Sequence, residues 1–179
     1  MARTFGGWEL SIMLRILGLS MFAAVFIPIA QARAAGVPLT VAVAAAQAVV
    51  DACKANSYDV TVAILDADLS TRVVLRGDGA RDGTVQIAYR KAYTVIKTGM
   101  SSADFGKTVP PSASPAGGAS KGPPGAVNGD PNLITWAGGL PILSAGAVIG
   151  AISASGAPGG EKDAACVQAG LAVIADRLK

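Results

Sequence analysis

The segment DVTVAILDADLSTRVVLR, residues 59–76, contains two β-branched runs separated by a short polar stretch. Val, Ile and Thr favour strands, and the polar stretch has the length of a hairpin connection. The segment therefore predicts two neighbouring antiparallel strands, Asp59–Leu65 and Thr71–Arg76. Between them, Asp66 and Asp68 are interpreted as solvated turn formers rather than as paired catalytic carboxylates or metal ligands.

Helical periodicity appears on both sides of this hairpin, because apolar residues recur there every three or four positions. Thr40 and Asp82 are candidate N-caps, and Gly99 is a candidate helix stop. The predicted helices are Thr40–Asn56, a helix capped by Asp82 that extends through Lys97, a short turn at 101–108, and Glu161–Leu178. The last of them is acidic at its start and basic at its end, which suits the helix dipole.

Three further strands are predicted in the second half of the chain: Leu133–Trp136, Ile142–Ala145 and Ala147–Ser153. The preceding stretch, at about 110–131, is rich in Pro, Gly, Ser and Ala, and we expect a long loop within one domain. Five strands joined mostly by short turns, with helices before, between and after them, are typical of an α+β domain. We therefore expect a five-stranded antiparallel sheet covered by helices.

The N-terminal segment, residues 1–34, has the three parts of a secretory signal peptide. An arginine-containing start precedes an apolar run, which ends in small residues with cleavage-like positions after Ala32 and Ala34. A membrane anchor is the alternative, but the run is shorter than the roughly 20 residues that a spanning helix needs. We therefore expect an exported protein, periplasmic or extracellular, whose mature part is a single domain at residues 35–179.

Cys53 and Cys166 are the two cysteines of the chain. Export would place them in a compartment where a disulfide persists. Each lies among apolar residues of a predicted helix, so two buried thiols and one disulfide remain equally compatible with the sequence.

The composition excludes several classes of function. The chain has no histidine, which removes imidazole-based nucleophile activation, zinc ligation and proton transfer. The formal net charge is +3 and only 5% of the residues are aromatic, so nucleic-acid binding has little support. Gly106-Lys107-Thr108 is not a phosphate-binding loop, because Val109-Pro110-Pro111 follows where a helix should begin.

Several short blocks follow one another along the predicted domain. They are DGA at 78–80, RKAYT at 90–94, AGGLP at 137–141, VIGAISASG at 148–156, and Asp163 followed by Ala169-Gly170. Together they resemble the GlcG/HbpS family. The resemblance implies a profilin-like α+β sandwich with a five-stranded antiparallel sheet, assembly into homo-oligomers such as octamers, and binding of haem or its iron. Secreted members of the family look like haem scavengers or sensors that act with a membrane sensor kinase.

The resemblance also assigns candidate site residues. The family's haem-binding lysine falls on Lys91, and its haem-contacting threonine falls at about Leu133, where the nearest hydroxyl is that of Thr135. The acidic pair that binds iron in one secreted member falls at Gln86 and Tyr89, so no metal site is expected. The candidate cofactor-binding residues are therefore Lys91, Tyr93, Thr94 and Thr135, with haem as the cofactor.

Haem iron normally takes an axial bond from His, Cys, Met or Tyr. Without histidine, the candidates beyond residue 34 are Tyr58, Tyr89, Tyr93, Met100, Cys53 and Cys166. Tyr93 and Met100 lie nearest the RKAYT block. Spacing leaves open whether Tyr89 and Tyr93 only pack on one helix face or contact a ligand. Lys91, Lys97 or Arg90 would pair with the haem propionates.

These observations predict an exported, oligomeric, non-enzymatic haem- or tetrapyrrole-binding protein that acts as a scavenger or as an accessory of a sensor kinase. One alternative is an oligomeric structural domain that has lost haem binding, which the leucine at position 133 and the absence of histidine favour. The other is a small enzyme that uses Asp66, Asp68 or Lys91 on a small organic acid, although no nucleophile and base stand at a suitable spacing.

Overall fold

A computed structural model describes residues 36–110 and 126–178. The predicted signal peptide at 1–34 and most of the predicted loop at 110–131 lie outside these residues, so both remain predictions. All described residues belong to one compact unit within Arg33–Lys179. No helix among them is long and apolar enough to cross a membrane.

Helices and antiparallel strands make up an α+β fold, as the sequence predicts. In chain order the elements are α1 (Leu39–Lys54), β1 (Thr61–Asp66), β2 (Thr71–Arg76), α2 (Thr84–Thr98), α3 (Ser102–Thr108), β3 (Gly139–Ser144), β4 (Ala147–Ser155), α4 (Gly160–Ile174) and a 3₁₀ turn (Ala175–Leu178). The strands form one sheet in the order β2-β1-β4-β3, and every neighbouring pair is antiparallel. β1 and β4 are thus central, and β1 is buried along its whole length.

Side chains alternate between the two faces of the sheet along each strand. Both faces carry apolar side chains, and a helical layer covers each of them. On one face, Val62 and Ile64 of β1 join Ile152 of β4 in a core that α1 and α4 cover. On the other face, Leu65 and Ala151 pack against α2. α2 therefore lies between the sheet on one side and solvent on the other, and most of the predicted site residues lie on it.

The expectation of five strands is wrong: the described residues form a sheet of four. The predicted strand Leu133–Trp136 is irregular chain that pairs with no strand. The Leu133 carbonyl accepts a hydrogen bond from the Arg90 guanidinium at 2.7 Å, and the Ile134 amide donates to the Thr94 hydroxyl at 2.9 Å. Side chains of α2 thus satisfy the backbone groups that a strand partner would otherwise bind.

Both predicted N-caps are wrong. Pro38 is the residue that precedes α1, and its carbonyl accepts from the amides of Val41 and Ala42, so Thr40 lies inside the first turn. Gly83 precedes α2 with φ +81°, a left-handed conformation that glycine adopts without strain, so Asp82 stands one residue too early.

The two hairpin aspartates differ. Asp68 accepts a hydrogen bond from the Ser70 amide at 3.0 Å, as predicted for a turn former. Asp66 is not solvated: it is 5% exposed, forms an ion pair with Arg72 and accepts from the Val37 amide at 2.8 Å. Asp66 therefore fixes the hairpin to the segment that precedes α1.

A disulfide joins Cys53 of α1 to Cys166 of α4, with the two Cα atoms 5.3 Å apart. This decides between the two states that the sequence leaves open. α4 also approaches α1 closely at Gly170, where a Cβ atom would lie 2.9 Å from the Ala45 carbonyl oxygen. The first and last helices of the fold are thus both packed together and covalently linked.

Candidate functional site

Lys91 is buried on the inner side of α2, with only 1% of its surface exposed. Its Nζ atom donates to Asp163 Oδ2 at 2.7 Å and to the Ala154 carbonyl at 2.9 Å. The other carboxylate oxygen of Asp163 accepts from the Ala157 amide at 3.0 Å. The amine therefore links α2 to the end of β4 and to the first turn of α4.

Burial acts on the two charges of this pair in opposite directions. Desolvation lowers the pKa of Lys91 and raises the pKa of Asp163, while the attraction between the two charges opposes both shifts. The two pKa values therefore approach each other, which makes transfer of the proton from the ammonium to the carboxylate less costly than it is in water.

A cavity of about 470 Å³ lies over this ion pair. Its lining comprises Arg81, Lys91, Trp136, Ala137, Ser155, Gly156, Ala157, Gly159, Gly160, Glu161 and Asp163. Of the four candidate residues from the sequence, Lys91 alone belongs to this lining. The volume is within the range of small-molecule sites, and the lining combines an indole ring with charged groups of both signs.

The outer side of α2 carries a stripe of large side chains, Val85, Tyr89, Tyr93 and Ile96. At 3.6 residues per turn they fall within an arc of about 80°. The rings of Tyr89 and Tyr93 lie 6.1 Å apart, and neither residue is fully buried. Met100 follows the helix and is 43% exposed. We call these five residues the α2 stripe.

Tyr93 donates its phenol hydrogen to Asp130 Oδ2 at 2.9 Å. That hydrogen bond, more than partial burial or the negative charge of Asp130, raises the pKa of Tyr93. The phenol is therefore protonated at neutral pH. A bond from Tyr93 to a metal would require the loss of this hydrogen bond.

Thr94 is fully buried and has a structural role in the fold. Its hydroxyl donates to the Arg90 carbonyl at 2.9 Å and accepts from the Ile134 amide at the same distance. Thr135, which follows Ile134, is partly exposed, and its carbonyl oxygen approaches α3 at Gly106. Tyr93, Thr94 and Thr135 thus lie around the segment 130–135, whereas Lys91 points to the cavity.

Several residues of these sites were not predicted from the sequence. Asp163 stands in the last of the matched blocks, but its pairing with Lys91, 72 positions away, has no signal in a single sequence. No sequence signal pointed to a site role for Arg81, Trp136 or Asp130 either. The disulfide also removes Cys53 and Cys166 from the candidate axial ligands, because their sulfur atoms are bonded to each other.

The α2 stripe contains residue types that could hold a haem group. Tyr89, Tyr93 and Met100 are potential axial ligands on or next to an apolar face, and Lys97, exposed in the last turn of α2, can pair with a propionate. The described residues contain no cluster of three or more His, Cys, Asp or Glu side chains suited to a metal ion.

A family model described as "haem degrading protein HbpS-like" matches residues 37–172. The chain belongs to the HbpS-like family. The match covers every helix and strand of the described fold except the 3₁₀ turn and the last two residues of α4. The resemblance read from the sequence blocks is therefore confirmed.

Solved structures agree with this membership. A double mutant of HbpS from Streptomyces reticuli is 30% identical, with a TM-score of 0.69 over 79% of this chain and 89% of that one. Protein ORFY from Klebsiella pneumoniae is 23% identical, with a TM-score of 0.68 over 81% and 95%. The PduOC–haem complex is 22% identical, with a TM-score of 0.66 over 78% and 96%. The last two show a shared fold. No curated protein sequence matches this HbpS-like chain.

Proposed function

We propose that this HbpS-like protein is an exported haem- or tetrapyrrole-binding protein that acts by binding, as a scavenger or as an accessory of a membrane sensor kinase. The observation that carries the proposal is the family match over residues 37–172. The haem in the PduOC complex, a protein of the same fold, also supports it.

The α2 stripe is the proposed haem-binding surface. Tyr93 is the first candidate for the axial ligand, because it lies on the outer side of α2, and Met100, exposed just after the helix, is the second. Lys97 is the proposed propionate partner. Lys91 and Thr94 support this surface from behind, since both are bound to groups within the fold. Thr135 lies on the segment that borders it.

The disulfide supports the proposed export. Disulfides form and persist in oxidising compartments such as the periplasm and the extracellular space. Cys53 and Cys166 are bonded here, and a signal peptide is predicted upstream at residues 1–34.

Haemin titration tests the proposal. We expect a saturable Soret shift, with quenching of Trp136 fluorescence. Tyr93→Phe should weaken haemin binding about tenfold, that is, by about 1.4 kcal/mol, because the phenyl ring keeps the apolar contact and loses the oxygen ligand. Tyr58→Phe is the matched control, since Tyr58 packs on the core under α1 and α4, on the other face of the sheet.

Two results would count against the proposal. Absence of both the Soret shift and the quenching would exclude haem binding. Progressive bleaching of the Soret band in the presence of ascorbate and oxygen would show turnover of haem, and would contradict the non-enzymatic part of the proposal.

A second candidate function is that of an oligomeric structural domain. Leu39 and Val43 of α1 and Val173 of α4 are 57%, 49% and 61% exposed, and all three lie in one helical layer. Contiguous exposed apolar patches mark contact surfaces between proteins, and these three positions are the candidate patch. Light scattering after gel filtration should show an oligomer that Val43→Glu dissociates. Val74→Glu, at a 45% exposed position of β2, should leave it intact. A monomeric wild type would exclude this candidate.

A further inference from the structure

The cavity over Lys91 has features that the proposed haem surface does not use. Lys91 is part of its lining, and the fold keeps room for the amine: at Gly138, with φ +118°, a Cβ atom would stand 2.7 Å from Lys91 Nζ. A side chain at position 138 would therefore displace the amine. The lysine is held in place by Asp163 and by the Ala154 carbonyl, both within 3 Å.

We propose that Lys91 is a reactive amine that forms an imine with a small carbonyl compound bound in the cavity beside Trp136. This inference differs from the haem proposal, in which Lys91 only supports the α2 stripe from behind, because it concerns the inner side of α2 and a different ligand. Lysine amines form such imines with carbonyl substrates when they are kept neutral in a desolvated pocket.

Asp163 supplies the proton transfers that imine formation requires. Asp163 first takes a proton from the Lys91 ammonium and leaves a neutral amine. The nitrogen lone pair attacks the carbonyl carbon, and the carbonyl oxygen takes a proton from Asp163 to give a carbinolamine. The nitrogen returns a proton to Asp163, which passes it to the hydroxyl group, and water leaves as the C=N bond forms. The ammonium and the carbonyl compound are thus converted into a protonated imine and water, with Asp163 ionised again and without an oxidant or a reductant.

The opposing pKa shifts of the pair are consistent with this role. Burial lowers the pKa of Lys91 and raises that of Asp163, so the neutral amine and the neutral carboxyl form more readily than they do in water. A general base within hydrogen-bond distance of the amine is also the usual arrangement for an activated nucleophile.

The lining of the cavity indicates the kind of carbonyl compound. Trp136 offers an indole surface for a flat, apolar part of the ligand. Arg81 stands at the same cavity and donates to the Gly156 carbonyl at 3.4 Å, and a guanidinium binds carboxylates through paired donors. We therefore expect an aldehyde or ketone that also carries a carboxylate.

The test uses 4-formylbenzoate and cyanoborohydride on the folded protein, followed by peptide mass spectrometry. The probe has an aldehyde, a flat ring and a carboxylate, and the reductant traps the imine as a stable amine. Lys91 should be modified at least about tenfold faster than Lys97, an exposed lysine of the same helix that serves as internal control. Asp163→Asn should lower the rate at Lys91 about tenfold and leave that at Lys97 unchanged.

A further variant keeps the test decisive even if Asp163→Asn does not fold. Arg81→Ala, at an exposed position, should slow modification of Lys91 by 4-formylbenzoate several-fold and leave modification by benzaldehyde unchanged. Modification of Lys91 that is no faster than that of Lys97 in the folded wild type would overturn the proposal. An equal effect of Arg81→Ala on both probes would overturn the assigned carboxylate.

Discussion

Asp163→Ala is expected to lower the free energy of unfolding by about 3–5 kcal/mol, because it leaves the Lys91 ammonium buried without its counter-charge. Both side chains of the pair are less than 5% exposed, so water screens the attraction between the two charges only weakly. In this variant the Lys91 amine would keep its hydrogen bond to the Ala154 carbonyl. Denaturant unfolding followed by circular dichroism measures the effect.

The exposed pair of Lys107 and Asp104 provides the matched control for Asp163→Ala. Its atoms are also 2.7 Å apart, but the side chains are 77% and 59% exposed. Lys107→Ala should therefore cost less than about 1 kcal/mol. Adding Lys91→Met to Asp163→Ala should recover much of the lost stability, because no buried charge is then left unpaired. If Asp163→Ala and Lys107→Ala cost the same, the buried pair does not have the assigned role.

Removal of the disulfide is expected to cost about 4–5 kcal/mol in the chain-entropy model, because the cross-link closes a long loop of the unfolded chain. Cys53 and Cys166 are separated by 113 positions. The double variant Cys53→Ala and Cys166→Ala should therefore unfold at a much lower denaturant concentration than the wild type.

Reduction of the wild type supplies an independent comparison with this double variant. A thiol reductant should shift the wild-type unfolding curve towards that of the variant and leave the variant unchanged. Two titratable thiols in the protein as purified, together with a curve that the reductant does not move, would show that the cross-link is absent.

The hairpin and the helices were predictable because their signals are local. β2 begins at Thr71 and ends at Arg76 as predicted, and Gly99 ends α2. The prediction of a fifth strand was wrong because of tertiary contacts. The side chains of Arg90 and Thr94, about 40 positions earlier, bind the backbone of 133–134. The local strand propensity of residues 133–136 contains no information about a distant helix whose side chains bind their backbone groups.

The candidate site was predictable only in part. The RKAYT block drew attention to Lys91, but its burial and its pairing with Asp163 depend on how α2 and α4 meet the sheet. That Tyr89 and Tyr93 share one face of α2 followed from helical spacing alone, because they are one turn apart. The state of the cysteines required the approach of α1 to α4, which no local pattern encodes.

The cross-link between α1 and α4 also determines how the protein responds to cleavage. All four strands and α2 lie between Cys53 and Cys166 in the chain, so they belong to one covalent ring. One cut of the backbone anywhere in that ring opens it without releasing a fragment, and a non-reducing gel would still show a single species of unchanged mass. Separation of the two halves therefore requires a protease and a reductant together.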